Sequence, residues 1–389
     1  MAYDTVARPR DDGGTALPDW AHAGDPGAGP HILHILPGFG VGGIQVRLAR
    51  VVNSLGGRFR HTILSLNGDF SCRDRLDPGG DTVLATNGVS GNFFHRLRCY
   101  ARRITETGPN LLATYNWGAI EWAMANRLFA RVRHIHFEDG FGPDEAERPL
   151  YRRALFRRWA LASAEAVIVP SRNLERIAHE TWRLHPGQVR YVPNGIAADA
   201  FAAPEAAPLF VRRPGESIIG TVAPLRPEKN LSRLIEAFAA LAGSPHLVIA
   251  GGGPERAKLE ARAGELNVAG RVTFLGAVSD PHAAMAGFDV FALSSDTEQM
   301  PMTVLEAMAT GLPVAATDVG DVKLMVAPEN REYIVSKDDT ASLTAALARL
   351  IADPARAREV GRRNRAEARS RFPWGRMVET YAALYEGGR

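Results

Sequence analysis

Short apolar runs alternate with segments of helical periodicity from His31 onward. Residues 44–55, for example, carry apolar side chains at the spacing of a helix that packs on a sheet. The runs that we predict to be buried strands are 31–36, 61–66, 82–86, 111–116, 134–139 and 166–170. Strands without a polar face, separated by helices, are typical of a parallel sheet covered on both sides. The pattern therefore predicts an α/β domain over residues 31–197.

The same alternation returns in the second half of the chain, where two helices at 340–352 and 355–371 close the series. Predicted strands lie at 217–223, 246–253, 271–277, 289–295 and 313–320. This indicates a second α/β domain over residues 217–371. The predicted fold class is thus α/β, with two Rossmann-like domains. Since open α/β sheets bind ligands beyond the carboxyl ends of their strands, two such domains facing each other predict a site in a central cleft.

Three segments fall outside the two predicted domains. Residues 1–30 are rich in Gly, Pro, Ala and Asp without periodicity, which predicts a flexible tail. Residues 198–216 include three prolines and are predicted to be the linker. Residues 372–389 are predicted to form a last helix, because one apolar stripe joins Phe372, Met377, Tyr381, Leu384 and Tyr385.

The composition narrows the class of protein. The chain has 389 residues, 46% hydrophobic and 23% charged, which excludes disorder as the main state. A net charge of +3 is too small for a dedicated nucleic-acid binder. Two cysteines, Cys72 and Cys99, cannot form a disulfide scaffold and fit a reducing compartment. With a charged start and no apolar run near 18 residues, we expect a cytoplasmic protein.

A glycine-rich turn follows the first predicted strand. Gly38, Gly40 and Gly43 match G-x-G-x-x-G, a pattern whose backbone cradles phosphate at a helix start. A dinucleotide site also needs an acidic residue at the end of the next strand, where the chain has Asn67 and then Asp69. That match is poor, so a nicotinamide-dependent oxidoreductase is the less favoured interpretation, and a tight glycine turn is the simpler one.

Two further turns lie after strands of the second domain. Arg226 and Lys229 are three positions apart in a loop that enters a helix, where both cations could clamp a diphosphate. Solvated loop charges are the alternative interpretation. The segment 250–255, which contains Gly252, indicates by itself only a sharp turn from a strand into a helix.

The most specific segment is 294–320. Glu298 lies in a loop after a strand, and Glu306 lies inside the next helix, which Pro301 could start. The residues around Glu306 are apolar, so solvation alone explains its carboxylate poorly. A sugar or ribose diol would supply two O–H donors to such a carboxylate, while the amides of the helix start could meet a phosphate.

These segments, in this order, resemble the glycosyltransferase B-type fold, and more closely the retaining family 4 (group 1), whose members use nucleotide-sugar donors. The resemblance runs from His31 to the C-terminus and is strongest over 217–320, where Glu298 and Glu306 match the family's Glu-x7-Glu motif. It implies that Glu306 holds the ribose, Glu298 contacts the transferred sugar and Lys229 binds the diphosphate. It also implies that the last helix returns to the first domain. The donor-binding residues that it implies are completed by Gly42, Gly43, Gly252, Gln299, Met300, Pro301, Thr303, Val304 and Leu305.

The chain departs from the family pattern at two places. Ala223-Pro224-Leu225 stands where the family has Gly-Arg-Leu, so Arg226 is the candidate for the missing cation. Asp139-Gly140 stands where the family often has His-Gly, so Asp139 is a candidate to accept a hydroxyl proton or to orient the acceptor. The segment 193–196 and Ser171 resemble family landmarks with structural roles.

The sequence therefore predicts a transferase that moves a sugar from a nucleotide-diphosphate sugar to an acceptor hydroxyl with retention of anomeric configuration. Preoriented charge at Arg226, Lys229 and a helix start would stabilise the leaving diphosphate. No cluster has metal-ligand spacing, so we expect neither a metal nor another cofactor. The resemblance implies front-face displacement, without a dedicated side-chain base. The alternatives are a non-catalytic sugar-nucleotide sensor and a hydrolase that uses Glu298 and Glu306 as an acid and base pair.

Two arginine-rich segments in the first domain, 93–104 and 148–160, interleave aromatic and aliphatic residues with arginine. Residues 92–190 carry 16 arginines against 10 acidic residues. This pattern predicts interfacial helices on the inner face of an anionic plasma membrane, where a lipid-linked acceptor would be presented. The alternative is a pair of ordinary helices whose apolar side faces the sheet.

Overall fold

The computed structural model describes residues 29–80, 82–141, 145, 150–202 and 209–388. The chain forms two compact units. The first unit reaches to Val192 and takes up the chain again from Val378, and the second unit is Pro193–Met377. Apart from residues 29 and 30, the predicted tail lies outside the described residues.

Seven parallel strands form the sheet of the first unit, in the order β3-β2-β1-β4-β5-β6-β7. They are β1 His31–Leu36, β2 Arg60–Ser65, β3 Thr82–Thr86, β4 Leu111–Tyr115, β5 His134–Phe137, β6 Ala166–Val169 and β7 Val189–Tyr191. The central strand β1 lies between β2 and β4. Since β1 and β4 are neighbours but not consecutive, the winding of the chain reverses between them, which creates a topological switch point.

Helices flank this sheet, as the periodicity predicts. Within the described residues they are α1 Gly43–Leu55, α2 Phe93–Thr107, α3 Ile120–Ala125, α4 Tyr151–Leu161 and α5 Arg172–Glu180. The first helix after β1 shows why the sequence folds this way: Leu48, Val51 and Val52 are buried against the sheet. Ser171 caps α5, because its Oγ accepts a hydrogen bond from the Leu174 amide at 3.0 Å. The structural role implied for Ser171 is therefore confirmed.

The second unit repeats the architecture with six parallel strands in the order β10-β9-β8-β11-β12-β13. They are β8 Ile218–Val222, β9 His246–Ala250, β10 Val272–Gly276, β11 Val290–Leu293, β12 Val314–Thr317 and β13 Ile334–Val335. Its switch point lies between β8 and β11. The last strand is absent from the sequence prediction, because two residues are too few to form a pattern.

The helices described in the second unit are α6 Leu231–Ala239, α7 Arg256–Glu265, α8 Pro281–Met285, α9 Met302–Thr310, α10 Val322–Met325, α11 Thr340–Ala352 and α12 Pro354–Arg371. The last helix of the chain is α13 Trp374–Glu386. Two Rossmann-like α/β units confirm the predicted fold class, and the cleft between them stays a prediction. In the part of the chain that the structure describes, no helix combines the length and apolar character needed to cross a membrane.

The boundary between the units lies before Pro193, whereas the sequence places it after residue 197. Asn194 donates from Nδ2 to the Met300 carbonyl at 2.8 Å, and Ile196 forms a β-bridge with Pro373. Phe201 is buried in the core of the second unit. The described residues of the predicted linker 198–216 thus belong to the second unit rather than to a connection between the units.

The C-terminal helix α13 returns to the first unit, as predicted. Its Tyr381 ring packs against Phe137 with centroids 5.3 Å apart, and its Tyr385 ring packs edge-on against Phe59 at 5.6 Å. Arg133 donates to the carbonyl of Tyr385 at 3.1 Å. The helix begins at Trp374 rather than at residue 372. The C-terminal part of the apolar stripe, with Tyr381, Leu384 and Tyr385, therefore belongs to the first unit, whereas Phe372 lies in the core of the second unit and Met377 ends that unit.

We expect removal of residues 378–389 to destabilise the first unit, because Phe137 and Phe59 lose their contacts with Tyr381 and Tyr385. Two buried aromatic side chains contribute several kcal/mol to the free energy of unfolding. Since 1 kcal/mol corresponds to about 2–4 °C, the Tm of that unit should fall by roughly 10 °C or more. Differential scanning calorimetry of the full chain and the truncated chain measures this shift. A chain that lacks only 387–389 is the control and should melt like the full chain. A truncated protein that melts like the full chain would contradict the docking.

Candidate functional site

The switch point of the second unit brings Lys229 and Glu298 together. Lys229 lies in the loop after β8, and Glu298 lies in the loop after β11, the neighbouring strand. Lys229 Nζ donates to Glu298 Oε1 at 2.6 Å, and Ser295 Oγ donates to the same oxygen at 2.8 Å. The two side chains are 19% and 10% exposed, so the pair is partly desolvated but reachable. Ser295 is a residue that the sequence analysis missed.

A second ion pair fixes the two loops beside that pair. Arg233, on α6, binds Asp296 with 2.7 Å between Nη2 and Oδ1 and donates to the Ser294 carbonyl at 2.8 Å. Asn230 donates to the same carboxylate at 3.0 Å and caps α6 with its side-chain oxygen. The Asp296 amide donates to the Glu228 carbonyl at 2.9 Å. These contacts hold the loop that carries Lys229 against the loop that carries Glu298.

The glycine turn after β9 lies against the loop after β8. Gly251 has a φ of +154°, and a Cβ there would come within 1.8 Å of the Ala223 carbonyl oxygen. Only glycine permits this approach. The Leu225 amide then donates to the Gly252 carbonyl at 2.9 Å. The turn thus positions the segment Ala223-Pro224-Leu225, where the chain departs from the family pattern.

The helix α9 begins beside Glu298 in the chain. Its cap residue Pro301 provides no side-chain hydrogen bond, and the first-turn amides of Met302 and Thr303 have no partner within the helix. Val304 and Leu305 are buried, and their amides donate to the Pro301 carbonyl. The helix start therefore offers two amides that the helix does not use, whereas the side chains of Val304 and Leu305 are enclosed in the core.

The remaining donor-side candidates flank that helix start. Gln299 is buried, and its carbonyl accepts from the Asp321 amide at 2.8 Å. The Met300 carbonyl accepts a hydrogen bond from Asn194, so the segment 193–196 holds the backbone before α9 in place. Glu306 is partly exposed, one turn into α9.

Arg226 and Lys229 share one turn, in which the Lys229 amide donates to the Arg226 carbonyl at 3.0 Å, but the two side chains have different surroundings. Arg226 is exposed and lines a pocket of about 230 Å³, together with Pro227, Asn230, Leu231, Ser232, Glu255, Lys258 and Leu259. Lys229 and Glu298 do not line this pocket. The structure therefore brings Lys229 and Glu298 into contact but gives Arg226 a different environment.

Gly42, Gly43 and Asp139 belong to the first unit. Gly42 is the N-cap residue of α1 and provides no side-chain hydrogen bond to the helix start. A Cβ on Gly43 would meet nothing within 4 Å. In the same turn, a Cβ on Gly40 would lie 2.3 Å from an oxygen of Asp69. The Asp69 carboxylate thus packs under the glycine turn, rather than standing at a strand end as a ribose-binding acid would.

A buried ion pair holds Asp139, which follows β5. Arg47 on α1 approaches both carboxylate oxygens, at 2.6 and 2.7 Å, and the two side chains are 5% and 8% exposed. Burial opposes the charge of Arg47, but the Asp139 carboxylate raises the guanidinium pKa. The Asp139 amide donates to Asn116 Oδ1 at 2.8 Å. Arg47 and Asn116 were missed by the sequence analysis, because each is remote from Asp139 along the chain.

The residue before Asp139 belongs to a buried charge cluster. Arg157 of α4 donates to Glu138 at 3.0 Å and to both oxygens of Glu145 at 3.0 and 3.1 Å. Burial alone would raise the pKa of Glu138, but Arg157 and His136 hold it below its ordinary value. The Arg157 guanidinium also lies 4.9 Å from the ring centre of Trp182. The loop after β5 is therefore anchored to α4.

No three His, Cys, Asp or Glu side chains among the described residues are grouped as a metal ion would require. Whether the reaction needs a metal stays a prediction.

Two protein-family models match the chain. The model described as "Glycosyl transferases group 1" matches residues 209–367, and "Glycosyltransferase Family 4" matches residues 41–200. Together they span most of both units.

Similar sequences include the putative glycosyltransferase EpsF of Bacillus subtilis, 28% identical over 74% of this chain and 79% of the relative. A GDP-mannose-dependent phosphatidylinositol monomannoside mannosyltransferase of Mycolicibacterium smegmatis is 31% identical over 52% of this chain and 57% of the relative. Similar solved structures include the sucrose-phosphate synthase of Thermosynechococcus elongatus, with TM-score 0.76, 22% identity, and 92% of this chain and 98% of the other covered. Anabaena HepE in complex with UDP-glucose has TM-score 0.78, 18% identity, and 92% and 100% coverage.

We expect Arg47→Met to destabilise the first unit by about 3–5 kcal/mol, because it leaves the Asp139 carboxylate buried without its partner. The double variant Arg47→Met/Asp139→Asn should lose less than the sum of the two single variants. Denaturant unfolding measures these differences. The matched control is Arg176→Met, which breaks the exposed Arg176–Glu180 pair in the same unit and should cost about 1 kcal/mol or less. Equal losses in the test and the control would contradict a buried pair.

Proposed function

The chain belongs to the group 1 glycosyltransferases, and on that premise we propose that it transfers a sugar from a nucleotide-diphosphate sugar to an acceptor hydroxyl, with retention of anomeric configuration. The observation that carries the proposal is the Lys229–Glu298 pair at the switch point of the second unit, beside the start of α9. A cation, a carboxylate and a helix start are the groups that a diphosphate sugar requires.

In the proposed complex the donor lies on the second unit. Lys229 and the first amides of α9 bind the diphosphate, Glu306 accepts from the ribose hydroxyls, and Glu298 accepts from hydroxyls of the transferred sugar. A diphosphate that binds Lys229 replaces the Glu298 carboxylate as its partner, which leaves that carboxylate to the sugar. The exchange keeps Lys229 next to an anion, and hydrogen bonds from the sugar hydroxyls then satisfy the Glu298 carboxylate. Gly42 and Gly43 contribute backbone amides near the donor phosphate and the acceptor.

The reaction needs stabilisation of the leaving diphosphate as the sugar becomes cation-like. Lys229, Arg226 and the helix start supply that stabilisation as preoriented charge. In front-face displacement the leaving phosphate takes the proton of the acceptor hydroxyl, so no side-chain base is required. Asp139 orients the acceptor rather than removing its proton, because Arg47 already neutralises the carboxylate. The proposed reaction requires no metal.

The proposed acceptor is a polysaccharide or lipid-linked glycan at the inner face of the plasma membrane. The name of the Mycolicibacterium smegmatis mannosyltransferase, a phosphatidylinositol monomannoside enzyme, supports a lipid acceptor. The excess of arginine in residues 92–190 supports contact with an anionic surface.

A second candidate function is non-catalytic binding of a sugar nucleotide. Pro224 stands where the family has its arginine, and Arg226 lines a pocket that does not include Lys229. Such a protein would keep donor binding and lack turnover. Donor binding without release of nucleoside diphosphate in the presence of acceptors would favour this candidate.

The experiment is a thermal-shift screen of nucleoside diphosphates and their sugars, followed by a transfer assay with the stabilising donor in buffer that contains EDTA. We expect release of nucleoside diphosphate. We also expect NMR to show that the product has the same anomeric configuration as the donor. An inverted product would contradict retention, and activity that EDTA abolishes would contradict a metal-independent reaction. No donor binding would refute the proposal.

For the site itself, we expect Lys229→Ala and Glu306→Gln to lower kcat/KM for the donor by about 100- to 1000-fold, because each removes one preoriented group. If Arg226 supplies the missing family cation, the Arg226→Ala variant should show a similar loss of kcat/KM for the donor. The matched control is Arg363→Ala, at an exposed arginine of α12 that pairs with Glu359, and it should stay within about threefold of the full activity. Full activity in the Lys229 and Glu306 variants would refute the assignment.

A further inference from the structure

The helix α4 buries an arginine and exposes its large apolar residues, which is the reverse of the usual arrangement. The residues that it buries are Ala154, Arg157, Ala160 and Leu161. Those that it exposes include Tyr151 (77%), Leu155 (46%), Phe156 (45%) and Trp159 (39%). A surface helix normally turns its large apolar residues inward. Large apolar side chains that share one exposed face mark an interaction surface.

The exposed face extends beyond α4. The π-helical turn Asn126–Ala130 exposes Leu128 and Phe129, and Arg127 of that turn lies with its guanidinium 4.7 Å from the ring centre of Trp159. We call these residues the α4 surface: Leu128, Phe129, Tyr151, Leu155, Phe156 and Trp159. Arg127 joins its two parts by donating a hydrogen bond to the Trp159 carbonyl.

The charge on this surface has one sign. Arg131, Arg152 and Arg158 are exposed, and no acidic side chain among the described residues pairs with them. Residues 126–131 and 150–162 contain no Asp or Glu. A second copy of this chain on a symmetric interface would place these arginines against one another, which disfavours self-association. Aromatic residues beside unpaired arginines suit the headgroup region of an anionic bilayer.

The structure separates this surface from the other arginine-rich segment. In α2, Leu97 and Tyr100 are 2% and 5% exposed and belong to the core, as for an ordinary helix. Among the large apolar residues of that segment, only Phe94 is highly exposed, at 75%. The interfacial prediction for 93–104 is therefore wrong for most of its apolar residues, whereas α4 exposes all of its aromatic residues. Residues 148 and 149 of the second segment lie outside the described residues.

We propose that the α4 surface docks the first unit on an anionic lipid bilayer. Its opposite face connects this docking to the proposed acceptor side: Arg157 points inward from α4 and binds Glu138, the residue before Asp139. This deepens the proposed function, on which it rests for the need to reach a lipid-linked acceptor. The binding itself requires only the surface described.

The test is sedimentation of the full chain with phosphatidylcholine vesicles that contain or lack phosphatidylglycerol. We expect binding that needs the anionic lipid at about 0.1 M salt and is lost near 1 M, as screening requires. Arg152→Glu/Arg158→Glu and Tyr151→Ser/Leu155→Ser should each lower the partition coefficient about tenfold or more. The matched controls lie in the second unit: Leu324→Ser, at a leucine 49% exposed, and Arg358→Glu, at an exposed arginine. Both controls should bind like the parent protein.

Two results would overturn the proposal: no binding to anionic vesicles at low salt, or binding that the α4 variants and the controls weaken equally. Sedimentation velocity without vesicles adds a third, since dimers that only Tyr151→Ser/Leu155→Ser dissociates would identify a protein interface instead. The α4 variants should keep the parent's kcat/KM with a water-soluble acceptor. Vesicle binding by a protein that lacks transferase activity would refute the proposed function and leave the α4 surface standing. Transferase activity in a protein that does not bind vesicles would refute the role of the α4 surface and leave the proposed function standing.

Discussion

The all-parallel order of each sheet is the constraint on which the candidate site depends. Parallel strands deliver their following loops to one edge, and a reversal of winding leaves two of those loops side by side. Between β8 and β11 this geometry places Lys229 against Glu298, although they are 69 positions apart in the chain. Between β1 and β4 it places Pro37, at the start of the glycine turn, against Gly118 in the loop after β4, and Asn116 of that loop fixes Asp139. The chemistry of both units therefore originates at the same position of the fold.

Each of these positions carries a charge that is already paired. Lys229 binds Glu298, and Arg47 binds Asp139, with little solvent at either pair. A partly buried charge without a partner is costly, and in each pair the neighbouring opposite charge offsets that cost. The two pairs differ in what they permit. Lys229 and Glu298 are more exposed, and α9 begins four residues after Glu298, so the proposed diphosphate can replace Glu298 as the partner of Lys229. Arg47 and Asp139 are enclosed, and their pair fixes the loop after β5 instead.

How far the sequence predicts this arrangement depends on whether a contact is local. Alternating apolar runs give the strands, and the short loops after them give Lys229, Glu298 and Glu306, since each lies within a few residues of a strand or helix end. The Arg47–Asp139 pair spans 92 positions, and nothing in either neighbourhood indicates it. The two-residue strand β13 is too short for a pattern, and the described residues of the predicted linker 198–216 belong to the second unit, so the prolines of that sequence do not locate the boundary. Long-range pairing and short elements are set by tertiary packing, which periodicity does not contain.

The contrast between α2 and α4 shows what tertiary packing adds. Both segments mix arginine with aromatic residues, so their sequences predict the same behaviour. Glu138 and Glu145 draw Arg157 inside, and Trp182 covers its guanidinium. Because Arg157 has to face the interior, the rotation of α4 about its axis is fixed, and Leu155, Phe156 and Trp159 turn outward. Desolvating Arg157 is tolerable only with its two carboxylates present. One buried charge cluster thus anchors the loop that carries Asp139 and exposes the apolar face of the helix behind it.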